Sequence, residues 1–282
     1  RTQDSEGLRT LALAWALGFA GAAGAAQWDI TPRFSAGELY SDNINLAPVD
    51  EIGDFITEVT PGISVRGAGA RLQMNVDYNL QNLFYASESD RDSMNHQLQA
   101  NSGAELVENI VFVDAHALMT QALVDPAAPI TNSNISGSGN RADALIYGVE
   151  PYFRHHFGAW ADAEARLNYE KTTYEENAGV VGSNSTLTGN VFSLSSGRRF
   201  QRVQWTATYD NQTTDYDAGS ETEFKHYGVE FGVALRRQWR LDASVGHETN
   251  SYGSIRSRDT GGFMWTLGGA WTPSPRTEVA FG

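Results

Sequence analysis

Across residues 71–85 apolar and polar side chains alternate residue by residue. Leu72, Met74, Val76, Tyr78, Leu80 and Phe84 fall on one parity; Arg71, Gln73, Asn75, Asp77, Asn79 and Gln81 fall on the other. A period of two is the mark of an extended strand with two unlike faces, and it does not fit the 3.6-residue period of an amphipathic helix. The arrangement returns in 160–169, where Ala161, Ala163, Ala165, Leu167 and Tyr169 oppose Asp162, Glu164, Arg166 and Asn168. It returns again in 201–210 (Val203, Trp205, Ala207 and Tyr209 against Arg202, Gln204, Thr206 and Thr208) and in 224–236 (Tyr227, Val229, Phe231, Val233 and Leu235 against His226, Glu230 and Arg236). Weaker alternation covers 55–66, 97–106, 111–121, 145–154, 239–248 and 263–271, and the segment 186–196 alternates poorly. About thirteen strands are expected from residue 28 onward, most of them long enough to cross a bilayer at a tilt, which takes about 9–11 residues.

The connections alternate in length. Short turns fall near 67–69, 108–109, 157–159, 198–200, 237–239 and 273–275, and long polar loops near 43–53, 87–93, 125–141, 175–184, 215–221 and 251–260. One long, one short is the pattern of an up-and-down barrel whose two ends meet different compartments. The crossings of a Greek-key sandwich would break that order.

Periodicity alone does not separate a membrane barrel from a soluble one, which is polar outside and apolar inside. The polar parity, however, carries Asp162, Glu164, Arg166 and Glu230, charges that a small soluble core cannot bury cheaply but a wet lumen can hold. Trp205, Trp239 and Trp271 lie toward the short-turn end of the apolar parity and Tyr169, Tyr209 and Tyr227 toward the long-loop end, as two interfacial girdles would, although ordinary cross-strand packing gives aromatic pairs too. The expected fold is therefore all-β: a transmembrane antiparallel up-and-down β-barrel, or meander, in the outer membrane. Leu72, Val76, Leu80, Trp205, Val229 and Trp265 are expected to face outward, and Gln73, Asp77, Glu164 and Arg236 to face the lumen.

Composition narrows the functional classes. Charged residues make up only 19% of the 282 and the formal net charge is -14, which speaks against a nucleic-acid partner. No run of about 18 apolar residues marks a membrane helix beyond the N-terminal region. With no cysteine, disulfides, thiolate zinc sites and thiol nucleophiles drop out. The N-terminal region itself has Arg9, an apolar run over 11–19 and Ala22-Ala23-Gly24-Ala25-Ala26. This is the form of a secretory signal peptide cleaved after Ala25, leaving 26–282 as the barrel. The sequence stops inside an apparent last strand, 277–281, so the expected barrel is C-terminally truncated and the strand near 31–40 lacks a closing partner.

Chemistry-bearing constellations are few. Asp114 and His116 share a strand face, a spacing in which a carboxylate could orient an imidazole for general-base work; a lumenal hydrogen bond is the plainer reading, since no nucleophile motif accompanies them. His155-His156 has no ligand spacing to Asp or Glu. The long loops are acidic (Asp50, Glu51 and Asp54; Glu88, Asp90 and Asp92; Glu175 and Glu176; Asp217, Glu221 and Glu223), and they read as solvated loops or as binders of divalent cations that bridge lipopolysaccharide phosphates. Asn134-Ile135-Ser136 is a formal glycosylation acceptor that reads as plain loop. No catalytic residue, cofactor site or metal site is assigned.

Several stretches carry a resemblance: Glu38-Leu39-Tyr40-Ser41-Asp42-Asn43-Ile44-Asn45-Leu46-Ala47, then Gly53-Asp54-Phe55-Ile56-Thr57-Glu58-Val59-Thr60-Pro61-Gly62-Ile63, Val76-Asp77-Tyr78-Asn79-Leu80, Val113-Asp114-Ala115-His116-Ala117 and Trp271-Thr272-Pro273-Ser274-Pro275-Arg276-Thr277. In their order along a hairpin repeat they resemble the PEP-CTERM system-associated outer-membrane β-barrel proteins of Gram-negative bacteria. The resemblance implies an outer-membrane barrel linked to exopolysaccharide production and surface sorting, and it brings no catalytic or binding residues with it. Family members continue for further strands, a departure from the length seen here. Expected roles are a porin-like pore or a surface-export and anchoring component, with an outer-membrane hydrolase as the alternative. Expected partners are outer-membrane lipid, lipopolysaccharide, and polysaccharide-export or surface-sorting proteins.

Overall fold

The computed structural model describes residues 27–123, 134–135, 141–174, 184–236, 238–253, 258–274 and 277–282. The segment read as a signal peptide lies outside them, as do most of the 125–141 and 175–184 loops and the side chain of Arg236.

The strands are β1 Gln27–Ser41, β2 Asp54–Ala68, β3 Leu72–Tyr85, β4 Ser93–Val107, β5 Val111–Leu123, β6 Arg141–His156, β7 Ala161–Tyr174, β8 Ser185–Ser196, β9 Val203–Tyr216, β10 Glu221–Arg236, β11 Trp239–Ser251, β12 Thr260–Ser274 and β13 Thr277–Phe281. They form one 13-stranded sheet in strict sequence order. Each described pair is antiparallel, so the sheet is the expected meander. No pairing joins β1 to β13 among the described residues; the sheet is open at both edges.

The registers put every apolar stripe on one face. Val65 of β2 pairs with Ile30 and Val76, Val76 with Ala100, and Ala100 with Ala117. Farther along, Leu194 pairs with Ala207, Ala207 with Val229, Val229 with Val245 and Val245 with Trp265. A one-residue slip in any pair would turn a strand's stripe to the opposite side. Trp265, Phe263 and Phe34 are 68%, 68% and 71% exposed, which in water would be a costly surface and in lipid is a favourable one.

Curvature identifies the inner face. Arg33 of β1 reaches Asp77 of β3 at 2.9 Å across β2. Arg166 of β7 reaches Asp114 of β5 at 3.0 Å across β6. Strands two apart are separated by roughly 9–10 Å, so side chains meet over an intervening strand only where the sheet bends toward them. All of these contacts lie on the polar face. The aromatic pairs between strands on the apolar face, such as Tyr209–Tyr227 and Trp239–Trp271, join neighbours, apart from the wide Trp239–Phe281 contact, 6.4 Å between centroids, over Gly269 at the β13 edge. The polar face is concave and the apolar face convex.

Val76, Leu80, Trp205, Val229 and Trp265 thus point outward as expected, and Gln73, Asp77 and Glu164 inward. Leu72 sits on the convex parity yet is only 1% exposed, because it adjoins the β2–β3 turn, where the backbone folds back through Gly69 N–H donating to the Leu72 carbonyl.

The convex face has a bounded height. At the short-turn end lie Phe157, Trp160, Phe200, Trp205, Trp239 and Trp271, with Trp160–Phe200 and Phe200–Trp205 in edge contact. On β7, β9 and β10 the apolar stripe ends at Tyr169, Tyr209 and Tyr227, near mid-strand, and Lys171, Asn211 and Lys225 follow on the same parity. The tyrosines therefore mark an upper boundary well below the strand tips. From Ala161 to Tyr169 the stripe advances about 26 Å along the strand, or about 20 Å in height at the usual tilt, close to the apolar band of an outer-membrane barrel. Strand β8 alternates poorly for the same reason. Its Thr186 faces out above that boundary beside Lys171, Thr188 pairs with Tyr169 at it, Asn190 stands between Leu167 and Asn211, and only Phe192 and Leu194 are apolar on this face.

Candidate functional site

The concave wall is a field of hydrogen-bonding side chains, and its densest part lies on β5, β6 and β7. Arg166 is the hub. Its Nη1 meets Asp114 Oδ2 at 3.0 Å and Glu150 Oε2 at 2.9 Å, and its Nη2 meets Glu164 Oε1 at 3.3 Å. Glu164 also accepts from Arg154 Nη2 at 2.8 Å. The Arg166 guanidinium lies 4.0 Å from the centroid of the Tyr152 ring, whose other neighbour is Phe112, stacked at 5.0 Å. Two guanidinium groups thus hold three carboxylates whose mutual repulsion would otherwise be severe at this spacing. Ion pairs and an aromatic platform together fix the wall over three strands.

One level toward the loops, His116 Nε2 meets Glu170 Oε2 at 3.1 Å, again across β6. The crossing needs a glycine. A Cβ on Gly148 would lie 2.5 Å from His116 Cε1 and 3.0 Å from the Tyr169 carbonyl oxygen. Gly148→Ala is expected to push the imidazole off the β6 backbone, break the His116–Glu170 contact, and lower stability by about 1–3 kcal/mol as an overpacked wall. Urea unfolding of the refolded protein in detergent measures this. A His226–Glu248 pair at 3.0 Å joins the adjacent strands β10 and β11, with the imidazole lying over Gly228 of its own strand.

The geometry separates the two residues that sequence spacing placed together. Asp114 and His116 do share the concave face, but Asp114 is bound to Arg166 and His116 to Glu170. His156, which has no ligand spacing in the sequence, makes a pairwise contact with Asp162 of the adjacent strand. His155 faces out and packs between Phe153 and Phe157. Glu164 and Arg166 pair as a lumenal couple. Among the described residues no group of three or more His, Asp or Glu is placed to hold a metal ion.

The long-loop end holds something the sequence did not suggest. The loop after β1 was read as polar and solvated, yet Ile44 is fully buried with Ile56, Leu83 and Tyr85, and Leu39, Ile52 and Ile135 pack against them. Leu39, Ile56, Leu83 and Tyr85 all lie on the polar parity, so the inner wall turns apolar at its outer end and the loop folds inward onto it. Asn43 pins the loop by accepting from Ala47 N–H at 3.0 Å and donating to the Ala47 carbonyl at 2.8 Å. Asp54 accepts from the backbone N–H groups of Phe55, Ser87 and Glu88, tying the next long loop to the same place. Tyr85 donates its hydroxyl to the Ile135 carbonyl and Asn134 donates to Gln81 Oε1 at 2.7 Å. The available signal was the run of apolar residues on the wrong parity near three strand ends.

No family model matches the chain, and no curated protein matches it. Solved outer-membrane structures do. The FrpB iron transporter from Neisseria meningitidis (F5-1 variant) superposes with a TM-score of 0.50 at 11% identity, over 90% of this chain and 46% of that one. This chain therefore spans about half the length of FrpB. OmpT, an outer membrane protein of Vibrio cholerae, gives a TM-score of 0.40 at 10% identity in its in-vitro folded trimer form, over 91% of this chain and 87% of that one. Its outer-membrane expressed form gives 0.42 at 8% identity, over 81% and 89%. The likeness to FrpB is one of fold. Joined to a convex apolar face between aromatic borders and a concave polar wall, it describes an outer-membrane β-barrel protein of a bacterium.

Proposed function

We propose that the protein is a water-filled outer-membrane pore that favours cations and hydrophilic solutes. The observation that carries this reading is the charge balance of the concave wall. Its arginines (Arg33, Arg66, Arg154, Arg166 and Arg240 among the described side chains) are outnumbered by carboxylates. Several of those, including Glu58, Glu105, Asp210 and Glu230, have no cationic partner among the described residues. A low-dielectric wall focuses such a surplus into the lumen and raises the local cation concentration. The inward-folded apolar cluster around Ile44 narrows the outer mouth of this path. We further propose, on the sequence resemblance, that the pore serves the PEP-CTERM-associated surface-export system. A hydrolase reading finds less support, since His116 and Asp114 are each engaged elsewhere and no serine joins them.

Planar-bilayer recording of the full chain in a tenfold KCl gradient tests the reading. The expected reversal potential has the sign of cation preference, and Asp210→Asn with Glu230→Gln moves it toward zero. A reversal potential of the anion sign, or no conductance from correctly inserted protein, contradicts it; the latter outcome favours an anchoring role.

A further inference from the structure

One part of the lumenal wall carries almost no charge. On the inner faces of β3 and β4, amide side chains stand opposite one another: Asn75 with Asn101, Asn79 with Gln97 and Gln81 with Asn95. Only the Asp77–Gln99 pair interrupts them with a carboxylate, and that carboxylate is held by Arg33. Gln81 is bonded to Glu58 and Asn134. Asn75, Gln97, Gln99 and Asn101 make no side-chain hydrogen bond with any described residue. Beside them opens a recess of about 620 Å³ whose lining joins Asn75, Asn101, Asp114 and His116 to the apolar Met74 and Ala115, within the size range of small-ligand sites.

We propose that this amide ladder and its recess form a binding track for an uncharged glycan segment. The inference rests on the water-filled lumen argued above. A primary amide both donates and accepts, as a hydroxyl does, and carries no fixed charge that would draw ions instead. Free amides on two adjacent strands repeat about 4.8 Å across and about 6.8 Å along the sheet, a two-dimensional array suited to a ligand with hydroxyls on every side. A peptide would also need apolar recesses for its side chains, and the facing inner positions 75–81 of β3 and 95–101 of β4 present amides and one carboxylate.

The test uses the refolded full chain in detergent micelles, with isothermal titration calorimetry against neutral malto-oligosaccharides. Saturable binding is expected. Each of Asn75→Val, Gln97→Val, Gln99→Val and Asn101→Val should weaken it about 3- to 10-fold, the worth of one lost hydrogen bond. Gln204→Val, on the far side of the wall, should leave it unchanged. Heat-modifiable gel mobility confirms that each variant is folded, and four separate substitutions keep the test intact if one misfolds. No binding by the folded protein overturns the proposal, as does equal binding by the four variants, or tighter binding of an uncharged Gly-Ser peptide or of an anionic glycan. Because calorimetry reads binding and bilayer recording reads conductance, a failed glycan site and a failed pore are distinguishable.

Discussion

Arg166→Met should lower the stability of the folded barrel by about 2–3 kcal/mol. The substitution keeps the length and much of the packing volume but removes the group that holds Asp114, Glu150 and Glu164 together. Breaking a fully buried ion pair by removing one partner costs about 3–5 kcal/mol. The Arg166 side chain is 22% exposed and Asp114 42%, so water screens part of the loss and the lower figure applies. The stabilising contact with the Tyr152 ring goes as well. Urea unfolding of the refolded protein reads the change. Adding Glu164→Gln to the variant should recover part of it, because one of the uncompensated carboxylates is then neutral. A variant as stable as the parent protein would mean that the network only decorates the wall.

Leu167→Arg should destabilise by about 1–3 kcal/mol, because the cost of an arginine on the lipid-facing band of a barrel is about 2–4 kcal/mol at mid-bilayer and falls toward the interface. Leu167 is 58% exposed on the convex face, two residues from the tyrosine boundary. In water an exposed leucine exchanged for arginine costs almost nothing, within about 0.5 kcal/mol. The expected penalty is therefore a property of the solvent that meets this face. Gln204→Arg, on the concave face of β9, is expected to cost less than about 1 kcal/mol, since a lumen accepts charge. The same unfolding assay in lipid vesicles compares the two.

The sequence made the strands legible because a strand with unlike faces writes its orientation at every second residue. Leu72, Met74, Val76 and Tyr78 against Gln73, Asn75, Asp77 and Asn79 fix both the element and its two environments. Register then follows, since only one phase aligns the stripes of neighbours. The site was less legible because curvature is not local. Asp114 and His116 look like a pair at a spacing of two, but bending of the sheet brings Arg166 and Glu170 over β6 to claim them. Nothing within β5 announces residues more than fifty positions away. Gly148 was a clue in principle, as a residue without a side chain where an imidazole must cross. The inward loop was hidden differently. Ile44 lies among Asn, Asp and Pro in a segment that composition marks as solvated, and its partners Ile56, Leu83 and Tyr85 break the parity rule one residue at a time.

The central claim is that the convex face meets lipid and the concave face meets water. The chain has no cysteine, so single cysteines placed one at a time over residues 203–212 of β9 give a direct reading. The refolded protein in lipid vesicles is treated with a membrane-impermeant maleimide, and the rate of labelling is followed at each position. The account predicts slow labelling at 205, 207 and 209 and fast labelling at 204, 206 and 208. The alternation should fade at 211, where Asn211 stands above the tyrosine boundary. Fast labelling at 205, 207 and 209 with protection at 204, 206 and 208 would contradict the account and make this a soluble barrel with its core inside.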